Sequence, residues 1–388
     1  MRPALGLILS LWATVAGAQE TLKIAVISLN PDPRYDEAMA YARIETNQAS
    51  DPLTAAELAL ADMGMLLDTA GLTVELRSIT AADLEGVSAA AAQFAVQGGR
   101  YLILDLPADE VDAVVSALGP EGPLSINATA AEDWLRRRCH PRLLHTAASD
   151  RMTSDALIQH FVKQHWNRVL VLHGKTSRDL ARAESFIEAA SRFRLRIADQ
   201  RAFDLSTNPA LREQNNIALL TGNLRDYDVV FVADSFGEYS RYLPFQTALP
   251  RPVVGATGLV PLEWHWSLER YGAPQVNSRF ETRQESVQRM SWQDWSVWIA
   301  TRAVLTAEAK SRDRGPAAIE TFLRSPDLRL DGSKGAQLSF RSWDGQLRQP
   351  ILLATTNAVI AIAPLEGYLH RTNTLDSLGV DEPEFSCD

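Results

Sequence analysis

Only two cysteines, Cys139 and Cys387, occur in 388 residues. So few thiols exclude a disulfide-built scaffold and a cysteine-ligated zinc knuckle. Long hydrophobic runs are also missing: beyond the first residues nothing reaches about 18 consecutive apolar positions, the length of a membrane-spanning helix. Positive charge is in deficit, with 38 Lys and Arg against 48 Asp and Glu and a formal net charge of −10. That balance argues against nucleic acid or an anionic membrane as partner. Catalytic signatures are absent as well, since no G-x-S-x-G elbow occurs and the seven histidines make no H-E-x-x-H. His160 and His165, five apart, fall on different faces of a helix. HGKTS (173–177) looks like the end of a phosphate-binding loop, but Val169 stands where that motif needs glycine. NPDPRYDE (30–37) lacks the D-x-[DN]-x-[DN]-G spacing of a calcium loop. The chain is therefore expected not to be an enzyme.

What is present begins with MRPALGLILSLWATVAGAQE: one basic residue, an apolar run from Ala4 to Val15, and small residues at Ala16 and Ala18. This reads as a secretory signal peptide over residues 1–18. No cysteine near the cleavage point could take a bacterial lipid anchor, so a soluble periplasmic protein is expected. Loss of Arg2 makes the exported chain one unit more acidic. In an oxidising compartment Cys139 and Cys387 have one intrachain pairing, and the alternative is two separate buried thiols.

The body alternates strand and helix. LKIAVISL (22–29), TVELRSI, YLILDL, GPLSIN, RVLVLHG, VVFVADS and RPVVGA are β-rich runs separated by helical or loop intervals. That is the βαβ pattern of parallel sheets covered on both faces. The length predicts two domains. With no repeat, low-complexity block or flexible linker, the chain should cross between them more than once.

The order of elements resembles the type I periplasmic binding proteins of ABC importers, the branched-chain amino-acid binding class. The resemblance is carried by IAVISL, YLILDL, GPLSIN, LLHTAASD, RVLVLHG, DVVFVADS and PVVGATG. It is also carried by the closing stretch DWSVWIATRAVLTAEA with FLRSPDLRLDGSKGAQLSFRSWDGQLRQPILLA. More narrowly, DPRYDEAMAYARI, ERYGAPQVNSRF and SFRSWDGQLRQPILLA resemble a subfamily associated with PQQ-dependent alcohol oxidation and, in some bacteria, lanthanide uptake. The resemblance implies an α/β fold of two lobes, each a parallel sheet flanked by helices, joined by three hinge crossovers. These fall near Leu144, Trp264 to Gly272, and Asp344 to Arg348. Lobe 1 is then 19–144 plus 272–345, and lobe 2 is 145–271 plus 346–388. It also implies a monomer that hands a solute to an inner-membrane permease and ATPase. The alternatives are a periplasmic ligand sensor, or an accessory protein of alcohol oxidation binding a neutral organic metabolite.

Ligands of open parallel sheets bind beyond the carboxyl ends of the strands. The candidates are Ser28, Asp32, Asp36, Asp105, Asn127, Thr129, Asp234, Thr257 and Trp264. In amino-acid binders an acid from the loop after the PVVG-like strand meets the ammonium; here that loop reads ATGLVP. Branched-chain amino acids should bind poorly. The loops carry carboxylates instead, and Asp32, Asp36, Asp105, Asp109 and Asp234 form a hard-oxygen set for a lanthanide or calcium-like ion, free or chelated, as the transported ligand. The plainer reading makes each acid a helix cap or first-turn residue. Five tryptophans, Trp264, Trp266, Trp292, Trp295 and Trp298, lie in one short region. A packing seam is expected of them more than an aromatic ligand box, with Trp264 or Trp266 the one to face the cleft.

Overall fold

The computed structural model describes residues 21–35, 51–204, 216–284 and 288–388. The expected signal peptide, Asp36 and Glu37 lie outside them. Five strands, β1 (Thr21–Leu29), β2 (Thr73–Ala81), β3 (Tyr101–Asp105), β4 (Leu124–Asn127) and β5 (Leu143–His145), form a parallel sheet in the order β2-β1-β3-β4-β5. Period-2 alternation buries both of its faces. Ile24 and Val26 enter one core, while Ala25 and Ile27 enter the other. On the first face pack α1 (Pro52–Asp62) and α2 (Gly64–Ala70); on the second lie α3 (Leu84–Val96) and α4 (Ala108–Leu118). The short α5 (Asp133–Arg137) follows β4.

A second parallel sheet contains β6 (Arg168–His173), β7 (Arg196–Ala202), β8 (Val229–Ala233) and β9 (Val253–Gly255), in the order β7-β6-β8-β9. Helices α6 (Asp150–Gln164) and α7 (Ser177–Arg192) cover one face; the short α8 (Ile217–Thr221) and α9 (Leu243–Gln246) lie by the other. The chain then returns to the first core through α10 (Ala273–Arg283), α11 (Trp292–Lys310) and α12 (Pro316–Leu323). A small antiparallel sheet joins β10 (Val260–Leu262), β14 (Ile351–Thr355) and β15 (Ala358–Ala363). Its middle strand serves both cores, with Ile351 and Leu353 in the second and Leu352 in the first. Between α12 and β14 runs a hairpin sheet of β11 (Leu330–Asp331), β12 (Gln337–Phe340) and β13 (Leu347–Arg348).

Three connecting segments meet between the lobes, at Thr146–Ala148, Glu263 and Gln349. Lys334, 1% exposed, donates to the carbonyls of Glu263 (2.8 Å) and Pro350 (2.9 Å) and to Gln349 Oε1 (2.7 Å). Gln349 donates to the Thr146 carbonyl, and the Ala148 N–H donates to the Glu263 carboxylate. One buried ammonium thus ties the three segments together. Burial pulls the Lys334 pKa well below that of an ordinary lysine and pushes Glu263 up.

The expected disulfide is formed: Cys139 and Cys387 are joined across 248 positions, with Cα atoms 5.7 Å apart. The tryptophans form the packing seam. Trp264, Trp295 and Trp298 are buried in the first core, Trp292 packs against it, and the Trp264 and Trp295 rings stack 6.2 Å apart. Each buried indole N–H has an acceptor: Asn277, the Gly332 carbonyl and Asp62 respectively. Trp266 is half-buried beneath the Arg289 guanidinium, 3.5 Å from its ring centre.

Candidate ligand cleft

At the carboxyl end of the first sheet, β3 closes on Asp105 and β4 on Asn127. Asn127 is fully buried and folds its own loop, accepting from the Thr129 and Ala130 N–H groups and donating to the Ala130 carbonyl. That turn aims the Thr129 hydroxyl at Asp105, to which it donates at 2.8 Å. After β1, a single 3-10 turn (Pro33–Tyr35) brings in Arg34. Its guanidinium clasps Asp32 through Nε and Nη2, reaches Asp105 at 3.0 Å and donates to Thr129 at 2.8 Å. Burial pulls the Arg34 pKa down, but Tyr35, Asp105 and Asp32 outweigh it and hold the guanidinium above its usual value. Tyr35 donates to Asp105 at 3.3 Å, and burial followed by Asp105 pushes the phenol well up. Ser28 registers beside Asp105 in the sheet, with its hydroxyl 3.4 Å from that of Thr80.

The loops at the carboxyl end of the second sheet are fixed from within. Asp234 accepts the Gly237 and Ser240 N–H groups and so fixes the loop after β8. The turn after β9 holds half-buried Thr257 between Gly255 and Gly258, both at positive φ. A Cβ on Gly258 would lie 2.0 Å from the Val253 carbonyl oxygen, so only glycine closes this turn. From α7, Arg178 pairs with Asp150 (2.7 Å) and crosses to Glu132 of the β4 loop at 3.5 Å, while Ser185 donates to Asp133 at 2.6 Å. Arg182 lies between those two on the same helix face. Burial, then repulsion from Arg178, pulls its pKa below the usual guanidinium value.

Of the strand-end residues, Asp32, Asp105 and Thr129 come together around Arg34, but not as an open carboxylate set. Asp32 and Asp105 are both paired with Arg34, Asp234 caps its loop, and Asp109 is exposed in the first turn of α4. Among the described residues no group of three His, Cys, Asp or Glu could hold a metal ion. Asp36 lies outside them. The plainer cap-and-pair reading therefore describes the four acids Asp32, Asp105, Asp109 and Asp234 among the described residues. Trp264, 1% exposed, belongs to the seam and not to the cleft. Asn127 acts on the loop and leaves its amide no free valence toward a ligand. The sequence reading passed over Arg34, in the loop after β1, and Arg178, in the first turn of α7. An arginine flanked by acids in DPRYDE was the available signal.

Two open concavities lie away from this cleft. One of about 590 Å³ lies beside α8 and α9 and includes Glu238 and Tyr239. The other, about 410 Å³, lies by β12 and β13. Neither contains the residues through which the two strand-end regions meet.

No protein-family model and no curated protein matches the chain. Solved structures do. A periplasmic binding protein from Burkholderia mallei aligns with TM-score 0.69 and 12% identity over 96% of this chain and 99% of that one. An ABC transporter substrate-binding protein from Desulfitobacterium hafniense, in complex with Leu, aligns with TM-score 0.64 and 16% identity over 88% and 99%. An ABC transporter solute-binding protein from R. palustris, in complex with benzoate, aligns with TM-score 0.62 and 12% identity over 86% and 92%. Together with the two parallel sheets, these likenesses show that the chain has the two-lobed periplasmic binding protein fold.

Proposed function

We propose that this protein is the solute-capturing component of an ABC import system and takes a small polar organic molecule between its lobes. The lobes would divide as 19–144 with 272–345 and 145–271 with 346–388. The observation that carries the reading is the meeting of strand-end loops from both sheets, where Glu132 and Asp133 face Arg178 and Ser185 beside the Arg34–Asp105–Thr129 cluster. A ligand touching both sides would stabilise closure and so signal occupancy to a permease. The absence of a transmembrane-length apolar helix among the described residues fits an exported, soluble partner of a membrane complex.

Two features favour an organic solute, or a metal wrapped in an organic chelate, over a bare ion. The cleft acids already have guanidinium or N–H partners, and Arg182 adds a cation that a bare metal would find repulsive. The acid-free ATGLVP turn disfavours leucine, isoleucine and valine. A connection to PQQ-dependent alcohol oxidation rests on the local likeness of DPRYDE and SFRSWDGQ and directs which solutes to try. Native mass spectrometry of protein purified from its own periplasm should show a bound organic mass, and that molecule should raise Tm. Stabilisation by lanthanum or calcium alone, abolished by Asp105→Asn, would replace this reading with the ion-binding one. Turnover of the bound molecule would replace it with an enzymatic one.

A further inference from the structure

The concavity by β12 and β13 differs in charge from the rest of this acidic molecule. Its lining includes Arg324, Arg329 and Arg348 together with Gln337, Ser339 and Asn373, and no Asp or Glu. Arg348 is held by its inner edge: Nε donates to the Asp376 carboxylate at 2.8 Å and Nη1 to the Phe340 carbonyl at 2.9 Å. Its Nη2 makes no hydrogen bond among the described residues. Arg324 donates through Nη2 to the carbonyls of Pro141 at 3.0 Å and Leu143 at 3.4 Å, and its Nη1 has no acceptor among the described residues. Arg329 is exposed and has no partner among the described residues. Three guanidiniums thus keep N–H groups at one cavity, and two of them are fixed by packing. Burial draws the Arg324 pKa down from its usual value, against the raising pull of Glu320, 3.9 Å from its Nε, and of Asp344.

We propose that this cavity is a second binding site, outside the interlobe cleft, for a small organic anion presenting a carboxylate or phosphate group to Arg324, Arg329 and Arg348. Guanidinium forks match both oxyanions with paired N–H donors. The volume of about 410 Å³ lies in the range of small-molecule sites and leaves room for a carbon body behind the charged group. A net charge of −10 repels anions elsewhere on the surface, so only a local reversal of sign can hold one. The walls come from two parts of the chain, the α12–β13 region and the segment at Thr372–Asn373. An occupant would therefore bridge them.

The test is calorimetric titration of the full exported chain with inorganic phosphate and, separately, citrate, at ionic strength held constant with chloride. Saturable binding of at least one is expected, and the responding anion identifies the oxyanion class. Arg329→Gln should weaken binding about tenfold or more, about 1.4 kcal/mol, with Tm unchanged because Arg329 supports no other group among the described residues. Arg324→Gln provides a second variant, and a tenfold loss in either supports the site. The organic mass retained in native mass spectrometry of the purified protein should persist in Arg329→Gln, which separates this proposal from the cleft reading. No saturation by either anion below about 10 mM, or unchanged binding in both variants, would overturn it.

Discussion

Removing the Arg34 guanidinium would leave Asp32 and Asp105, both buried, without a counter-charge. Breaking a buried pair from one side costs about 3–5 kcal/mol; Arg34 keeps 25% of its side chain exposed, so about 2–3 kcal/mol is expected after solvent screening. Urea unfolding of Arg34→Ala should show that loss, and adding Asp105→Asn should restore part of it. A midpoint equal to the parent's would mean that the cluster contributes nothing. A second residue-scale effect concerns Asp155, whose buried carboxylate accepts from Arg192 at 2.6 Å and from the Gly379 N–H at 2.8 Å. Burial outweighs those partners and pushes its pKa up to about 6. A folded-state value above the unfolded one, about 3.9, means that folding favours the protonated form. The associated stability is complete below about pH 4 and is lost as pH rises through about 6, a change of roughly 2–3 kcal/mol. Melts from pH 4 to 7.5 should show the parent losing stability relative to Asp155→Asn. Parallel curves would refute the assignment.

Helix α11 shows why element boundaries were legible and element surroundings were not. Ser291 accepts from the Asp294 N–H while the Asp294 carboxylate accepts from the Ser291 N–H, a reciprocal cap over nineteen residues. Ser291→Ala should cost about 1 kcal/mol by chemical denaturation; no change would mean that tertiary packing alone holds the first turn. Trp292, Trp295 and Ile299 are spaced to share one face, but α11 is buried nearly all round, with Trp298 and Val304 enclosed as well. A local pattern cannot report how many neighbours arrive. The opposite happened at β7: RIADQRA is polar and half exposed as an edge strand, so no apolar alternation announced it. Its pairing with β6 comes from the sheet and not from its own composition.

Across the whole molecule, the C-terminal segment straps the lobes. Leu378 enters the second core, Asp376 pairs with buried Arg341 at 2.8 Å, and the chain then reaches Cys139 beyond α5 on the first lobe. Closing so long a loop could stabilise by about 5 kcal/mol in the chain-entropy model, with smaller gains common in practice. The double variant Cys139→Ser with Cys387→Ser should therefore lose about 2–5 kcal/mol yet remain folded, since the segment keeps its contacts to Arg341 and Asp155. An unchanged unfolding midpoint would show that those contacts already fix the tail.

Period-2 apolar runs separated by helical intervals determined the two parallel sheets, because burial on both faces demands continuous apolar strands wherever they sit. Two cysteines in an oxidising setting likewise allowed one intrachain bond. Partnership of charges was a different matter. Asp105, Thr129 and Arg34 are 71 and 95 positions apart in their contacts, and an acid looks the same in the sequence whether it faces solvent, a metal or a guanidinium. Only the tertiary structure brought Arg34 onto Asp105, turned Asn127 into its own loop and sank Trp264 into the seam, because the field at a side chain is set by groups remote in sequence.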